Sequence, residues 1–300
     1  MKVLVTGAGG FIGSHTCDYF YKNGHEVIGW YQYDANATWL CENIDLMNEN
    51  CIKEQIEKIC PDIIIHCAGS ADVTKSVVDP ISDYNGNVTI THNLLFAVHR
   101  TGLDIRIIFL SSAAVYGNPE LLPISEDARL NPLSPYALHK LMCEETCRYM
   151  HENYNIDIKI LRIFSAYGEG LKKQIFWDMY QKSKLTGKLA MLGTGNESRD
   201  YIYVTDLVRS IYLIATKADK KDLIFNIANG EEITIRFATK EFAKAIGIDA
   251  KLISFTGELK EGNPINWRAD ISRLLSIGYK KTISFETGIQ FYVEWVKMQI

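Results

Sequence analysis

The sequence Lys-Val-Leu-Val-Thr-Gly-Ala-Gly-Gly-Phe-Ile-Gly, residues 2 to 13, decides the fold of this chain. Its β-branched apolar start predicts a buried strand, and residues 14 to 23 are typical of a helix. Between them, Gly7 allows a tight turn, Gly10 lets backbone N–H groups approach a pyrophosphate, and Gly13 lets helix and strand pack closely. The stretch predicts a dinucleotide site, although an ordinary glycine-rich turn has the same pattern.

The composition bounds the class of protein. The chain has 300 residues, of which 47 % are hydrophobic, so it can bury a substantial core. A net charge of −4 argues against a nucleic-acid surface. The seven cysteines contain no Cys-x-x-Cys pair, which predicts neither a disulfide framework nor a metal site and favours a reducing cytoplasm. We expect no signal peptide and no membrane contact, because no apolar run approaches the ~18 residues of a span.

Strands and helices alternate through the first half of the chain. The apolar run from Ile63 to Cys67, bounded by Pro61 and Gly69, is typical of a central parallel strand that is buried on both faces. We predict further strands over 26–30, 105–110 and 158–163, and helices over 84–100 and 136–152. This rhythm predicts an α/β fold, a Rossmann-type doubly wound parallel sheet.

Beyond Phe164 the rhythm loosens, and the predicted elements no longer repeat one unit. We therefore predict two domains. Residues 1–165 form the NAD(P)-binding domain, with a segment near 201–230 returning to it. Residues 166–300 form a smaller C-terminal α/β substrate domain.

The end of the second predicted strand bears on the choice of dinucleotide. NAD-binding units commonly have an acidic residue there, which bonds the ribose hydroxyls. Here the position is Tyr31, with Asp34 three residues on. Since no Arg or Lys lies between Lys22 and Lys53 to pair with a 2′-phosphate, the sequence favours NAD, and NADP stays possible.

Three polar residues form a candidate catalytic set. Ser112 follows the strand over 105–110 and so lies at the carboxyl edge of the sheet, where such folds bind ligands. Tyr136 and Lys140 are four positions apart on one helix face, where the Lys140 ammonium would favour the Tyr136 phenolate and lower its pKa. Tyr136 would exchange a proton with a substrate held by Ser112. The alternatives without catalysis are that Ser112 belongs to an ordinary serine-rich loop and that Tyr136 and Lys140 form a surface pair.

Together, the motifs resemble those of the extended short-chain dehydrogenase/reductase family, in its nucleotide-sugar branch. The matching stretches are 6–13, 45–46, 67–69, Asn87 with 93–95, 111–117, 136–140, 162–168 and 199–206. The resemblance implies that the cofactor is held by Gly7, Gly10, Phe11, Ile12, Gly13, Tyr31, Asp45, Leu46, Cys67, Ala68, Gly69, Asn87, Tyr136 and Lys140. Within this set, it implies that Asp45 and Leu46 hold the adenine.

The same resemblance implies a nucleoside diphosphate sugar as substrate. It assigns Arg199 to the diphosphate, a role that suits a bidentate guanidinium. Ser165 stands where the family usually has an Asn against the sugar or phosphate, and Lys260 where an Arg commonly meets the nucleotide. The base and the sugar stay open.

Departures from the family pattern narrow the reaction. Ala113 and Ala114 replace the acids that sugar dehydratases and decarboxylases carry there, which leaves hydride chemistry at one carbon, C4. The favoured hypothesis is a 4-epimerase. The short connection from Trp30 to Asp45, and Tyr31 itself, keep a 4-ketoreductase or 4-dehydrogenase open. A non-catalytic dinucleotide-binding protein is the third hypothesis.

Family members are often homodimers that pair two helices of each subunit into a four-helix bundle. The candidate helices here are 84–100 and 136–152. Their apolar positions could face either a partner or the sheet: Leu94, Leu95, Val98, Leu141 and Met142.

Overall fold

The structure is a computed structural model that describes residues 1–31, 38–258 and 265–299. Its strands are β1 Lys2–Thr6, β2 Glu26–Tyr31, β3 Leu40–Asn43, β4 Ile63–His66, β5 Arg106–Ser112, β6 Ile158–Ile163, β7 Ser165–Tyr167, β8 Leu189–Met191, β9 Ser198–Arg199, β10 Tyr201–Tyr203, β11 Ile224–Ile227, β12 Ile233–Thr234 and β13 Ile253–Phe255. Its helices are α1 Phe11–Lys22, α2 Glu49–Ile59, α3 Val73–Val78, α4 Pro80–Tyr84, α5 Ile90–Thr101, α6 Pro135–Tyr154, α7 Gln174–Thr186, α8 Val204–Lys217, α9 Ile235–Ile246, α10 Ser272–Ser276 and α11 Phe285–Lys297.

One parallel sheet organises the larger part of the chain. Within the described ranges it has seven strands in the order β11-β6-β5-β4-β1-β2-β3. Alternate residues of its strands enter two apolar clusters, one on each face: Val3 packs with Phe20 of α1, and Leu4 packs with Leu94 of α5. Helices therefore cover both faces, and the predicted doubly wound Rossmann-type sheet is confirmed.

The element boundaries depart from the sequence prediction in two places. Strand β3 was not predicted, because its four residues are only partly buried and carry no continuous apolar run. The predicted helix over 84–100 is interrupted by a π-helical turn, Asn85–Thr89, between α4 and α5. This turn buries Asn87 beside the sheet.

The C-terminal half folds around an aromatic cluster. Tyr167, Phe176, Tyr201 and Phe285 pack against one another between α7, α9 and α11. Three two-stranded pairs, β7/β10, β9/β12 and β8/β13, border this cluster. The chain also returns to the large sheet, where β11 pairs in parallel with β6.

The apolar positions of α5 and α6 divide between the core and the surface. Leu94, Leu95 and Val98 are buried against the sheet, and Leu141 is partly buried against the cluster around Tyr116. Met142 is 38 % exposed. Of the five positions open to either interpretation, the first three therefore serve the core. In the described part of the chain, no helix combines the length and apolarity needed to cross a membrane.

Candidate active site

The glycine-rich turn forms a backbone cradle at the start of α1. Gly7 has a φ of +66°, and a Cβ at Gly13 would lie 2.1 Å from the Gly7 carbonyl oxygen. Gly10 is the N-cap of α1, and no side chain caps the helix there. The first N–H groups of a helix lack intrahelical partners, and its N-terminus carries partial positive charge. The cradle therefore presents donors suited to an anion such as a phosphate.

A cleft of about 960 Å³ opens at the carboxyl edge of the sheet. Residues from both halves of the chain line it. Those that the sequence singled out are Gly7, Gly10, Phe11, Ile12, Gly13, Cys67, Gly69, Ser112, Tyr136, Lys140, Ser165 and Arg199. The fold thus gathers the glycine turn, the candidate catalytic set and the C-terminal candidates around one space.

The other predicted cofactor residues lie beside this cleft. A Cβ at Gly9 would lie 3.7 Å from the Cβ of Tyr31, so Tyr31 borders the cradle. Asp45 and Leu46 follow β3 at the same edge, where the Asp45 carboxylate accepts a hydrogen bond from the Met47 N–H. Ala68 contributes backbone atoms against Gly7. Asn87 is buried, and a Cβ at Gly69 would lie 2.9 Å from its Oδ1.

Two further sequence candidates have no described position. Asp34 and Lys260 lie outside the residues that the structure describes. The roles expected for them stay predictions.

Tyr136 enters the cleft from the first turn of α6. Ser134 caps this helix by accepting from the Ala137 N–H, and Pro135 stands where no N–H is needed. The Tyr136 N–H donates to Ser76 Oγ at 3.1 Å, which ties this turn to α3. Burial raises the pKa of the Tyr136 phenol to about 12, and a hydrogen-bonding interaction with Ser112 opposes the rise.

Lys140 lies one turn further along α6 and is 6 % exposed. Its Nζ donates to the Leu110 carbonyl oxygen at 2.9 Å and stands 5.0 Å from the centre of the Phe109 ring. Burial lowers its own pKa. In the chain by itself, the cost of burying the phenolate keeps the pKa of Tyr136 above its ordinary value, and the lowering contribution expected from Lys140 stays a prediction.

A buried ion pair behind these residues was missed at the sequence level. Arg162 of β6 donates to both carboxylate oxygens of Glu144 on α6, and Ser111 Oγ donates to the same carboxylate. Tyr116 OH accepts from Arg162 at 2.9 Å and donates to Asn226 of β11 at 2.7 Å. Cations within a strand predicted to be buried, Ile-Lys-Ile-Leu-Arg-Ile, were the available signal, because buried charges require partners. The network fixes α6 against the strand that carries Ser112.

Arg199 faces the cleft from the C-terminal half. Its Nη1 donates to the Ser198 and Ile265 carbonyl oxygens at 2.7 and 3.2 Å, and its guanidinium stands 5.5 Å from the Trp267 ring. Trp267, also missed, is 8 % exposed and donates to the Gly117 carbonyl oxygen at 3.1 Å. The Ser165 N–H donates to the Asp200 carbonyl oxygen at 3.0 Å, which sets the entry of β7 beside Arg199.

The sheet, the cradle and the buried Tyr/Lys pair define a Rossmann-type α/β enzyme. The model of the NAD dependent epimerase/dehydratase family matches residues 3–228, more than half of the chain. The chain belongs to this family, which confirms the resemblance predicted from the motifs and the prediction of an enzyme.

Three known proteins illustrate the relationship. A putative UDP-glucose 4-epimerase of Methanocaldococcus jannaschii is 31 % identical over 98 % of this chain and 98 % of its own. The solved UDP-glucuronic acid 4-epimerase of Bacillus cereus, in complex with UDP-glucuronic acid and NAD, is 28 % identical over all of both chains, with a TM-score of 0.90. The UDP-glucose 4-epimerase of Thermotoga maritima, solved with UDP-glucose, is 25 % identical over 100 % of this chain and 99 % of its own, with a TM-score of 0.89.

Proposed function

We propose that this protein is an NAD-dependent 4-epimerase of a nucleoside diphosphate hexose, with UDP as the nucleotide. One observation carries the proposal: Ser112, Tyr136 and Lys140 line the same cleft as the glycine cradle. Two solved proteins that share this fold over nearly their whole length are 4-epimerases of UDP-sugars, and one of them is described in complex with NAD.

The residues present fit a dinucleotide. The cradle of Gly7, Gly10 and Gly13 leaves no room for a Cβ at its closest contact, as expected where backbone donors must reach a pyrophosphate. Within the described residues, Asn87 Oδ1 is buried without a hydrogen-bond partner, so it is available to a ligand. Bound NAD⁺ would supply the hydride acceptor and a positive charge beside the phenol.

The chain's own residues would handle the proton. Tyr136, as phenolate, accepts the proton of the C4 hydroxyl and later returns it, while Ser112 hydrogen-bonds the same oxygen. Because burial raises the pKa of Tyr136 to about 12, the phenolate needs nearby positive charge. Lys140 supplies one such charge from the same helix, with its Nζ oriented by Leu110.

The other end of the cleft suits a nucleoside diphosphate. Arg199 would bind the diphosphate, Ser165 lies next to it on the cleft wall, and we retain Lys260 as a predicted nucleotide contact. We assign the dinucleotide to residues 1–165 with the returning β11 region, and the sugar nucleotide to residues 166–300.

The two alanines that follow Ser112 favour epimerisation over elimination. Ala113 is fully buried and Ala114 lines the cleft, so these positions provide neither the acid nor the base that dehydration requires. Transfer of hydride from one carbon to a bound dinucleotide and back would need no acid or base besides Tyr136.

The proposal is tested by turnover without added cofactor. The purified protein should interconvert UDP-glucose and UDP-galactose, or another 4-epimeric UDP-sugar pair, with no net change in NADH absorbance. Denaturation should release NAD. Tyr136→Phe should lower kcat by about 10²- to 10⁴-fold while the dinucleotide stays bound. A requirement for stoichiometric NADH on a 4-keto sugar nucleotide would instead identify a reductase, and unchanged turnover in Tyr136→Phe would contradict the enzymatic role.

We also propose a homodimer formed through α6, which contains the predicted helix 136–152, and through α4, which replaces the predicted helix 84–100 in this pairing. Exposed apolar side chains on this side support it: Ile81 is 74 % exposed, Leu138 is 47 % exposed, and Met142 adjoins them on α6. Replacing Leu138 by Glu should halve the mass measured by light scattering, whereas a wild-type monomer would exclude this pairing.

We propose a cytoplasmic location as well, with which the free thiols of all seven cysteines agree.

A further inference from the structure

A buried hydrogen-bonded pair that the proposed chemistry does not use, Asp83 and His139, lies next to Tyr136 and Lys140. His139, between them in sequence, is 7 % exposed, and its Nδ1 lies 2.7 Å from Oδ2 of Asp83 on α4. Asp83 is 3 % exposed, and within the described residues its other oxygen, Oδ1, is buried without a hydrogen-bond partner. A buried carboxylate with one unsatisfied oxygen is costly, which invites an explanation beyond packing.

The same aspartate connects to a second predicted site residue. Its backbone carbonyl accepts from Asn87 Nδ2 at 3.0 Å, which leaves Asn87 Oδ1 directed at Gly69. A Cβ at Gly69 would also lie 3.4 Å from Lys140 Nζ. Asp83 therefore holds the Asn87 amide through its main chain and the second turn of α6 through its carboxylate.

We propose that Asp83 and His139 are positioning residues for the reaction: their contact and the Asp83–Asn87 hydrogen bond fix Asn87 relative to the helix that carries Tyr136, and the Asp83 carboxylate influences the proton exchange of Tyr136. This inference rests on the proposed function. It adds a pair outside the cleft wall, acting through residues that face the ligands.

Polar and charged groups on the neighbouring elements bear on Tyr136, and the buried Lys140 lies one turn further along the same helix. Asp83 on α4 and Cys143 on α6 raise the pKa of its phenol, Ser112 at the end of β5 lowers it, and burial gives the largest effect. Burial raises the pKa of the Cys143 thiol itself, which disfavours its thiolate. Asp83 is thus the carboxylate whose removal changes the field at the phenol.

The charge is tested by Asp83→Asn, which keeps the shape and an acceptor for His139. Removing a nearby negative charge favours the phenolate. The rising limb of the pH profile of kcat/KM should therefore shift to lower pH by about one unit. The exposed Asp104→Asn, with the same change in net charge, should leave the limb in place. An unmoved limb in Asp83→Asn would overturn the electrostatic part of the proposal.

A second readout needs no turnover. The tyrosinate absorbance of the protein with its bound dinucleotide is titrated, and each variant is compared with its own Tyr136→Phe counterpart to isolate one phenol. In Asp83→Asn, Tyr136 should titrate at lower pH than in the parent protein. Coincident Tyr136 titration curves for the two proteins would contradict the inference. If the parent protein had no epimerase activity, the proposed function would fail while this titration still decided the effect of Asp83.

The geometry is tested by His139→Leu and His139→Asn. Leucine removes the donor to Asp83 and should lower kcat by about tenfold or more, with KM for the sugar nucleotide within about twofold, because small misplacements affect the reacting geometry first. Asparagine can return an N–H near the Nδ1 position and should restore kcat. Equal kcat in all three proteins, folded by circular dichroism, would overturn the positioning role.

Discussion

The two walls of the cleft are built differently. The N-terminal wall (Gly7, Gly10, Gly13, Ser112, Tyr136 and Lys140) lies at the ends of one continuous parallel sheet and on the first turns of α1 and α6. The C-terminal wall (Ser165, Lys173, Glu197, Arg199 and Trp267) comes from two- and three-residue strands and the connections around them. The first wall is made largely of backbone and buried groups, the second of side chains. Changes in the first should therefore affect folding and chemistry together, and changes in the second should affect mainly substrate affinity.

The largest effect is expected behind the N-terminal wall. Glu144→Gln leaves the Arg162 guanidinium, 1 % exposed, without its charged partner, and should cost about 3 to 5 kcal/mol of unfolding free energy. Urea denaturation measures this loss. The adjacent, exposed Glu145→Gln is the matched control and should change stability by less than about 0.5 kcal/mol. Equal stability of the two variants would contradict the role given to the buried network.

The glycine cradle is the next test of the same wall. A Cβ at Gly13 would lie 2.1 Å from the Gly7 oxygen, whereas a Cβ at Gly9 would only reach Tyr31 at 3.7 Å. Gly13→Ala should therefore destabilise the protein by about 1 to 3 kcal/mol and reduce the dinucleotide that copurifies. Gly9→Ala should retain both stability and dinucleotide. A Gly13→Ala protein with full dinucleotide content would refute the close-packing argument.

The C-terminal wall should respond in the opposite manner. Arg199→Gln removes a charged donor from the cleft and should raise KM for the sugar nucleotide by about 10- to 100-fold, the range of a charged hydrogen bond. Steady-state kinetics and thermal unfolding together check this expectation, since Tm should change little. Arg236→Gln, outside the cleft lining, serves as the control. A collapse of Tm in Arg199→Gln would show that the two walls do not differ as described.

The smallest effect is expected at Trp267. Trp267→Phe keeps a ring beside the Arg199 guanidinium but loses the hydrogen bond to Gly117. Because phenylalanine still offers the guanidinium a cation–π partner, although a weaker one than tryptophan, KM should rise by only about two- to fivefold, and further in Trp267→Leu. An unchanged KM in both variants would mean that Arg199 is oriented by the Ser198 and Ile265 carbonyls alone.

Local patterns predicted the N-terminal wall well. The turn after β1, the helix carrying Tyr136 and Lys140, and the strand before Ser112 each follow from spacings of a few residues, and the structure contains all three elements. The same patterns did not reveal β3 or the π-helical turn at Asn85–Thr89, because neither has a distinct periodicity. Local patterns also did not predict the pKa of Tyr136, because this pKa depends on how deeply the phenol is buried.

The sequence by itself determined the parallel α/β fold, the family and the identity of the residues around the glycine turn, because those signals lie within a few turns of chain. Only the tertiary structure decided which distant residues meet. Arg162 finds Glu144 across a strand and a helix, His139 finds Asp83 56 positions away, and Trp267 reaches Arg199 from the far end of the chain. Such contacts depend on packing and on the need to pair buried charges. The spacing of residues within a short stretch of sequence predicts neither.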